Sequence, residues 1–186
     1  MQEQRRQLHI DILRVLASQL IVLHHFSAYG PLADAAQQAA PWLVDWLYDY
    51  GRMAVQVFLV VGGYLAAASL APGSPIWQRS PLQVAVRRYR RLVLPCLAAL
   101  LLAVASAAVA RQWLSDDFIP DAPTWQQALS HTLLLQGLLD HDALTAGIWY
   151  VAIDFQLFLL MTLLLWLGQR IHRTGHHAPG FGPGLA

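Results

Sequence analysis

The sequence predicts an all-α membrane protein, a multi-pass bundle of transmembrane helices. Of its 186 residues, 56% are hydrophobic and 12% are charged, and this charged share is about half that of a typical soluble domain. The mean hydropathy is +0.42, and seven Trp and six Tyr residues can supply aromatic belts at the membrane–water interface. With a net charge of +1 and no stripe of basic residues, the chain gives little support for nucleic-acid binding.

Four stretches are long and apolar enough to cross a bilayer, which takes roughly 20 residues. They are residues 10–29, 53–71, 92–110 and 148–168. A fifth stretch, 125–139, is shorter and contains several Gln and one His, so it could be a tilted span, a re-entrant piece or an interfacial helix. We expect residues 1–169 to form a transmembrane domain and residues 170–186 to be a disordered basic tail rich in His, Gly and Pro.

The distribution of Arg predicts the orientation of the chain, because cytoplasmic loops of membrane proteins are enriched in basic residues. Arg5 and Arg6 precede the first span, and five Arg residues crowd the second connection, residues 72–91. We therefore expect the N-terminus and the second connection to be cytoplasmic, in a bacterial inner membrane. Arg170 and Arg173 favour a cytoplasmic tail, which agrees with four spans and conflicts with five.

Two ionisable residues inside the first span, Arg14 and His25, mark a candidate site, since such groups are costly within a bilayer and usually functional. Eleven residues of α-helix rise about 16 Å and complete roughly three turns, so both lie on one stripe of the helix. Asp11 and Ser18 fall on the same stripe, whereas His24 points about 100° away. His25 is therefore the better candidate. In a purely structural alternative, Asp11 and Arg14 neutralise each other and His25 bonds between helices.

Arg88, Arg91 and Asp154 are further candidates. Arg88 and Arg91 lie one helical turn apart, so they could bind a phosphate together. Alternatively, they could simply anchor the second connection in the cytoplasm. Asp154 lies within the fourth span and needs a partner, and Tyr150, one turn earlier, can hydrogen-bond to it.

Small residues in the second span allow two interpretations. Gly62, Gly63 and the alanines at 66–68 permit close packing between helices or a passage for a thin substrate arm. We expect no metal site, because the adjacent His24 and His25 diverge on a helix and no other metal-ligand spacing is present. Cys96 follows a proline in an apolar run, so it is expected to be a small buried side chain.

Four motifs in this order resemble the membrane-bound acyltransferase 3 family. They are Arg14 and His25 with ten residues between them, GRMAVQVFL at 51–59 with GGYL at 62–65, RYRRLVLP at 88–95, and IWYVAIDFQ at 148–156. The resemblance runs from about residue 8 to residue 167. The family commonly has Ser at the position of Gly62 and Glu at that of Asp154. Its members have roughly ten spans, so the chain resembles the N-terminal half of one.

The resemblance implies transfer of an acyl group, often acetyl, from acyl-CoA on the cytoplasmic side to an envelope carbohydrate or glycolipid. It implies His25, Arg14 and Asp154 as catalytic residues, Arg88 and Arg91 as donor-binding residues, and no permanently bound cofactor. A neutral imidazole can take the proton of an attacking hydroxyl, a step that contributes about 10² to 10⁴ in rate.

Two other functions remain open at the level of sequence. In a transporter or flippase-like component, Arg14, His25 and Asp154 would form a substrate or proton path without any chemical step. Alternatively, the chain is a catalytically inert fragment whose site needs further helices.

Overall fold

The computed structural model describes residues 2–71, 73–115 and 119–175. These residues form seven α-helices and two short 3₁₀ helices, with no strand among them, so the predicted all-α fold is confirmed. The helices are α1 (Gln2–Ala28), α2 (Pro31–Ala39), α3 (Pro41–Tyr50), α4 (Ala54–Ser69), α5 (Pro81–Ala110), α6 (Trp125–Thr132) and α7 (Ile148–Gly175).

Four helical segments are long and apolar enough to cross a membrane, as predicted. They are Leu8–Ala28, Pro41–Ser69, Pro81–Ala110 and Ile148–Ile171. The second begins earlier than expected because the 3₁₀ helix Gly51–Met53 joins α3 directly to α4. The third begins at Pro81 because Ser80 and Gln83 form a capping box, in which each side chain accepts a hydrogen bond from the other residue's backbone N–H.

The possible fifth span is not a transmembrane helix. Of this segment only α6 is helical, and its eight residues rise about 12 Å against a hydrocarbon core of about 30 Å. The chain then returns to α7 through turns, and we call residues 125–147 the wedge. Tyr89 of α5 and Gln156 of α7 both donate hydrogen bonds to backbone carbonyls of the wedge. Since α5 and α7 are both candidate spans, these contacts favour the re-entrant interpretation.

The helix pairs α1–α4, α5–α7 and α4–α7 are in contact. α5 and α7 run antiparallel. Val84 shares a buried cluster with Phe158, whereas Leu92, later in α5, packs against a cluster that contains Phe155, which is earlier in α7. One buried cluster contains Ala66, Leu70, Val84 and Phe158, and the other contains Leu134, Ala152 and Phe155. Arg88 follows Val84 of the first cluster by one turn of α5, and Asp154 directly precedes Phe155 of the second cluster in α7.

The last helix extends beyond residue 169, the predicted end of the transmembrane domain. α7 continues to Gly175, and the guanidinium of Arg170 lies over the ring of Trp166 at 4.6 Å. Residues 170–175 are therefore helical, and the expectation that they are disordered is wrong. The rest of the predicted tail, residues 176–186, lies outside the described residues.

Candidate functional site

A cavity of about 670 Å³ lies between α1, α4, α5 and α7, and we call it the basic cavity. One carboxylate, that of Asp154, lines it together with five arginines: Arg14, Arg79, Arg87, Arg88 and Arg91. The rest of the wall is mostly apolar side chains of α4, α5 and α7, together with the hydroxyl-bearing Ser69 and Tyr150. Because positive charge is in large excess and charge in a low-dielectric environment favours a counter-charge, the cavity suits an anionic ligand.

An ion pair between α5 and α7 forms part of this wall. Nη2 of Arg88 donates to Oδ2 of Asp154 at 2.7 Å, and the guanidinium carbon of Arg88 lies 4.7 Å from the centre of the Phe158 ring. The two charged side chains are 27% and 15% exposed. Nε of Arg88 is buried and has no hydrogen-bond partner among the described residues. The guanidinium therefore keeps an N–H donor that Asp154 does not bind.

The hydrogen-bond partner of Asp154 is therefore Arg88 of α5. The prediction that Tyr150 is this partner is wrong. A charged guanidinium makes a stronger hydrogen bond to a carboxylate than a neutral phenol does. The Tyr150 hydroxyl still lies within electrostatic reach of Asp154, Arg88 and Arg14. Three helices thus bring these four side chains to the wall of the basic cavity.

Arg14 lines the cavity from α1 with an exposed side chain. Among the described residues the ion pair is that of Arg88 with Asp154, and Arg14 forms none with Asp11. The alternative in which Asp11 neutralises Arg14 therefore has no support in this geometry, and the guanidinium is available to a ligand.

The small residues of α4 differ in what surrounds them. A Cβ atom at Gly62 would lie 3.1 Å from Oδ1 of Asp154 and 3.9 Å from the Tyr150 hydroxyl, whereas one at Gly63 would meet nothing within 4 Å. Ala66 packs closely in the cluster of Phe158. Gly62 therefore lets the Asp154 carboxylate approach α4, Gly63 leaves space, and Ala66 provides helix contact.

The two adjacent histidines of α1 have different surroundings. Nδ1 of His24 bonds to the carbonyl of Leu47 in α3 at 3.0 Å, and a Cβ atom on Gly51 would lie only 2.9 Å from the Cβ of His24. Nδ1 of His25 bonds to the carbonyl of Ile21, one turn earlier, at 2.7 Å. A carbonyl oxygen can only accept, so in each neutral ring Nδ1 carries the proton and Nε2 keeps its lone pair.

His25 does not line the basic cavity, whereas Arg14 does. The rise of α1 separates these two residues by about 16 Å along the helix axis. The structure thus brings together Arg14, Arg88, Arg91 and Asp154 among the predicted site residues, and His25 lies further along the same helix.

Sequence reasoning missed Arg79 and Arg87 as lining residues of the cavity. Arg87 and Arg91 are spaced by four residues, the spacing that brings two side chains to one helix face, and this signal could have identified Arg87. Arg79 precedes α5, and its position depends on the turn before Ser80, which spacing does not reveal.

Comparison with known proteins agrees with this architecture. A family model described as an acyltransferase domain, Acyl_transf_3, matches residues 8–175, and these residues contain all four motifs of the sequence. No curated protein and no solved structure gives a significant match. Because the matched region covers most of the chain and includes its four candidate spans, the chain is a membrane protein that belongs to the acyltransferase 3 family.

Proposed function

We propose that this protein transfers an acyl group from acyl-CoA, bound from the cytoplasmic side, to a hydroxyl group of an envelope carbohydrate or glycolipid. The family supports acyl transfer in general. The excess of arginines in the basic cavity supports the anionic donor, and this is the observation on which the proposal chiefly depends.

The donor's phosphates are proposed to bind Arg79, Arg87 and Arg91, which line the cavity together with Arg88. A guanidinium can bind phosphate through two parallel N–H donors. Arg88 already gives one N–H to Asp154 and keeps Nε without a partner among the described residues. Asp154 is proposed to hold Arg88 toward the cavity, so that the guanidinium meets the donor in a fixed orientation.

Arg14 is proposed to bind a pantetheine amide or a phosphate of the same donor. From Arg14, the extended arm of the donor must reach about 16 Å along α1 to bring the thioester to His25. The acyl group is proposed to be acetyl, as the family resemblance implies.

In the proposed reaction, Nε2 of His25 takes the proton of the acceptor hydroxyl as the oxygen attacks the thioester carbonyl. A carbon–oxygen bond forms, the carbon–sulfur bond breaks, and the imidazolium returns the proton to the leaving thiolate. The hydrogen bond from Nδ1 to Ile21 leaves Nε2 unprotonated in the neutral ring, which is the form that a general base requires.

Replacement of Arg88 and Arg91 by Lys tests the donor site, because Lys keeps the anchoring charge and loses the bidentate geometry. We expect the double variant to insert normally and to bind acetyl-CoA several-fold more weakly, a loss of about 1 kcal/mol or more. Arg90→Lys is the matched control, since Arg90 lies on the same helix and does not line the basic cavity.

Two results would contradict the proposal. Unchanged affinity in the double variant would leave these arginines with an anchoring role alone. Absence of any acetyl-CoA binding by the unsubstituted protein would favour the alternative of a transporter, in which Arg14, His25 and Asp154 conduct a substrate or proton without acyl chemistry.

A further inference from the structure

The wedge contains a strained turn at its centre. After α6, the N–H of Leu135 bonds to the carbonyl of Ser130 at 2.8 Å and the N–H of Leu134 bonds to that of His131 at 3.1 Å. This pattern is the Schellman type of helix end, in which Gly usually occupies the left-handed position. Here that position is held by Leu134, with φ of 57°. A branched side chain is strained in this conformation, so other contacts must hold the turn in place.

The contacts that hold the turn come from α5 and α7. The Leu134 side chain is fully buried against Ala152 and Phe155. The Leu134 carbonyl accepts a hydrogen bond from Nε2 of Gln156 at 2.8 Å. The carbonyl of Thr132 accepts one from the Tyr89 hydroxyl at 2.6 Å.

The two donor side chains are close sequence neighbours of the ion pair. Tyr89 follows Arg88 directly, and Gln156 lies two residues after Asp154. Successive residues of a helix point about 100° apart, so each helix presents one side to the basic cavity and another to the wedge. A helix whose wedge side is fixed cannot rotate about its axis, and its charged side chain is thereby held in register.

His131 connects the two parts of the wedge on either side of this turn. It is 1% exposed, its Nδ1 bonds to the carbonyl of Gln127 at 2.7 Å, and its Nε2 accepts the backbone N–H of Leu144 at 3.1 Å. Both ring nitrogens of the neutral imidazole are therefore used. They connect α6 to the segment that returns to α7.

From this arrangement we infer that the wedge is a positioning element for the Arg88–Asp154 pair, and that Tyr89 and Gln156 are positioning residues that act on the donor site through that pair. The inference rests on the proposed acyl-CoA function of the basic cavity. It assigns a role to a segment that contributes no side chain to the cavity wall.

Tyr89→Phe and Gln156→Met test this role, because each removes the donor to the wedge and retains most of the side-chain volume. We expect each variant, purified as the full chain in detergent, to bind acetyl-CoA about three- to tenfold more weakly. Tyr50→Phe is the matched control, since Tyr50 is exposed on α3 and its ring contacts Trp46, and it should leave the affinity unchanged.

The decisive comparison repeats both substitutions in an Asp154→Asn background. If the wedge acts through the ion pair, Tyr89→Phe and Gln156→Met will have little further effect on acetyl-CoA affinity once that pair is gone. An equal loss in both backgrounds, or no loss in either, would overturn the inference.

A second measurement separates this inference from the proposed function. If the unsubstituted protein binds no acetyl-CoA, the donor proposal fails, and the wedge is then tested by thermal unfolding alone. The shifts in Tm for Tyr89→Phe and Asp154→Asn are expected to be non-additive in the double variant. Additive shifts would show that the wedge and the ion pair are independent.

Discussion

His24 and His25 each donate from Nδ1 to a backbone carbonyl but contact different parts of the molecule. His24 faces Leu47 of α3 and Gly51 of the 3₁₀ helix that follows, while His25 bonds within its own helix and stacks on Tyr29 at 6.1 Å. The 100° step between adjacent helical residues predicted this divergence from sequence. The tautomer could not be predicted, because it depends on which carbonyl each Nδ1 meets.

We expect His25→Ala to reduce acyl transfer by about 10² or more, the usual contribution of a general base. His24→Ala should have a smaller effect on acyl transfer and should chiefly weaken the contact of α1 with α3. The measurement is acyl transfer to acceptor at matched expression. Equal loss from both substitutions would remove the distinction between them, and full activity of His25→Ala would exclude the general-base role.

Arg88→Ala should lower the free energy of unfolding by about 1–3 kcal/mol, because it leaves the mostly buried Asp154 carboxylate without its partner. Removing both members of the pair should cost less than the sum of the single changes. Arg90→Ala, on an exposed face of the same helix, is the control and should have little effect. Denaturant unfolding in detergent compares the two single variants, the double variant and the control with the unsubstituted protein. Additive losses would mean that the pair contributes nothing as a pair.

At the scale of secondary structure, apolar length predicted the four spans, and local chemistry accounts for where they begin. Ser80, Pro81 and Gln83 are a recognisable helix start, so the early beginning of α5 was readable from sequence. The path of the wedge could not be read from sequence, because Leu134 adopts a left-handed conformation that Gly usually occupies at a helix end. Its conformation depends on burial against α7 and on Gln156, which are contacts between distant parts of the chain.

Leu134 and Asp140 both have positive φ, at 57° and 53°, yet substitutions at the two positions should have opposite effects. Leu134 is fully buried, so Leu134→Ala should destabilise the protein by about 2–5 kcal/mol through the cavity that it leaves. Asp140 is exposed, so Asp140→Gly should stabilise it by up to about 1 kcal/mol by relieving the backbone. Unfolding in detergent measures both, and stabilisation by Leu134→Ala would contradict the packing described for the wedge.

For the molecule as a whole, the four spans bury little of their surface against one another. In the most apolar 18-residue stretch of each span, between 11% and 22% is buried. Many large apolar side chains are exposed. Such a surface needs a bilayer or further protein to cover it. The composition of the sequence predicted the membrane environment. It did not predict that Arg14 and the arginines of α5 would line one cavity, because that arrangement depends on how the helices pack.

This shared cavity fixes the relative orientation of the spans. Arg14 lies in the first half of α1 and Arg88 lies near the start of α5, and both line the basic cavity. The N-terminal ends of these two helices therefore lie toward the same end of the bundle. The concentration of Arg at that end favours the cytoplasmic side, which is the side from which the proposed donor would enter.

Labelling of single cysteines in intact cells tests this orientation. In a Cys96→Ala background, Gln38→Cys in α2 and Gln78→Cys before α5 introduce one thiol each, both at exposed positions. We expect a membrane-impermeant reagent to label Gln38→Cys from outside, and to label Gln78→Cys only after the membrane is permeabilised, because the second connection holds the excess of Arg. The reverse pattern would turn the basic cavity toward the outside. It would then be inaccessible to cytoplasmic acyl-CoA, so this result would overturn the donor proposal together with the topology.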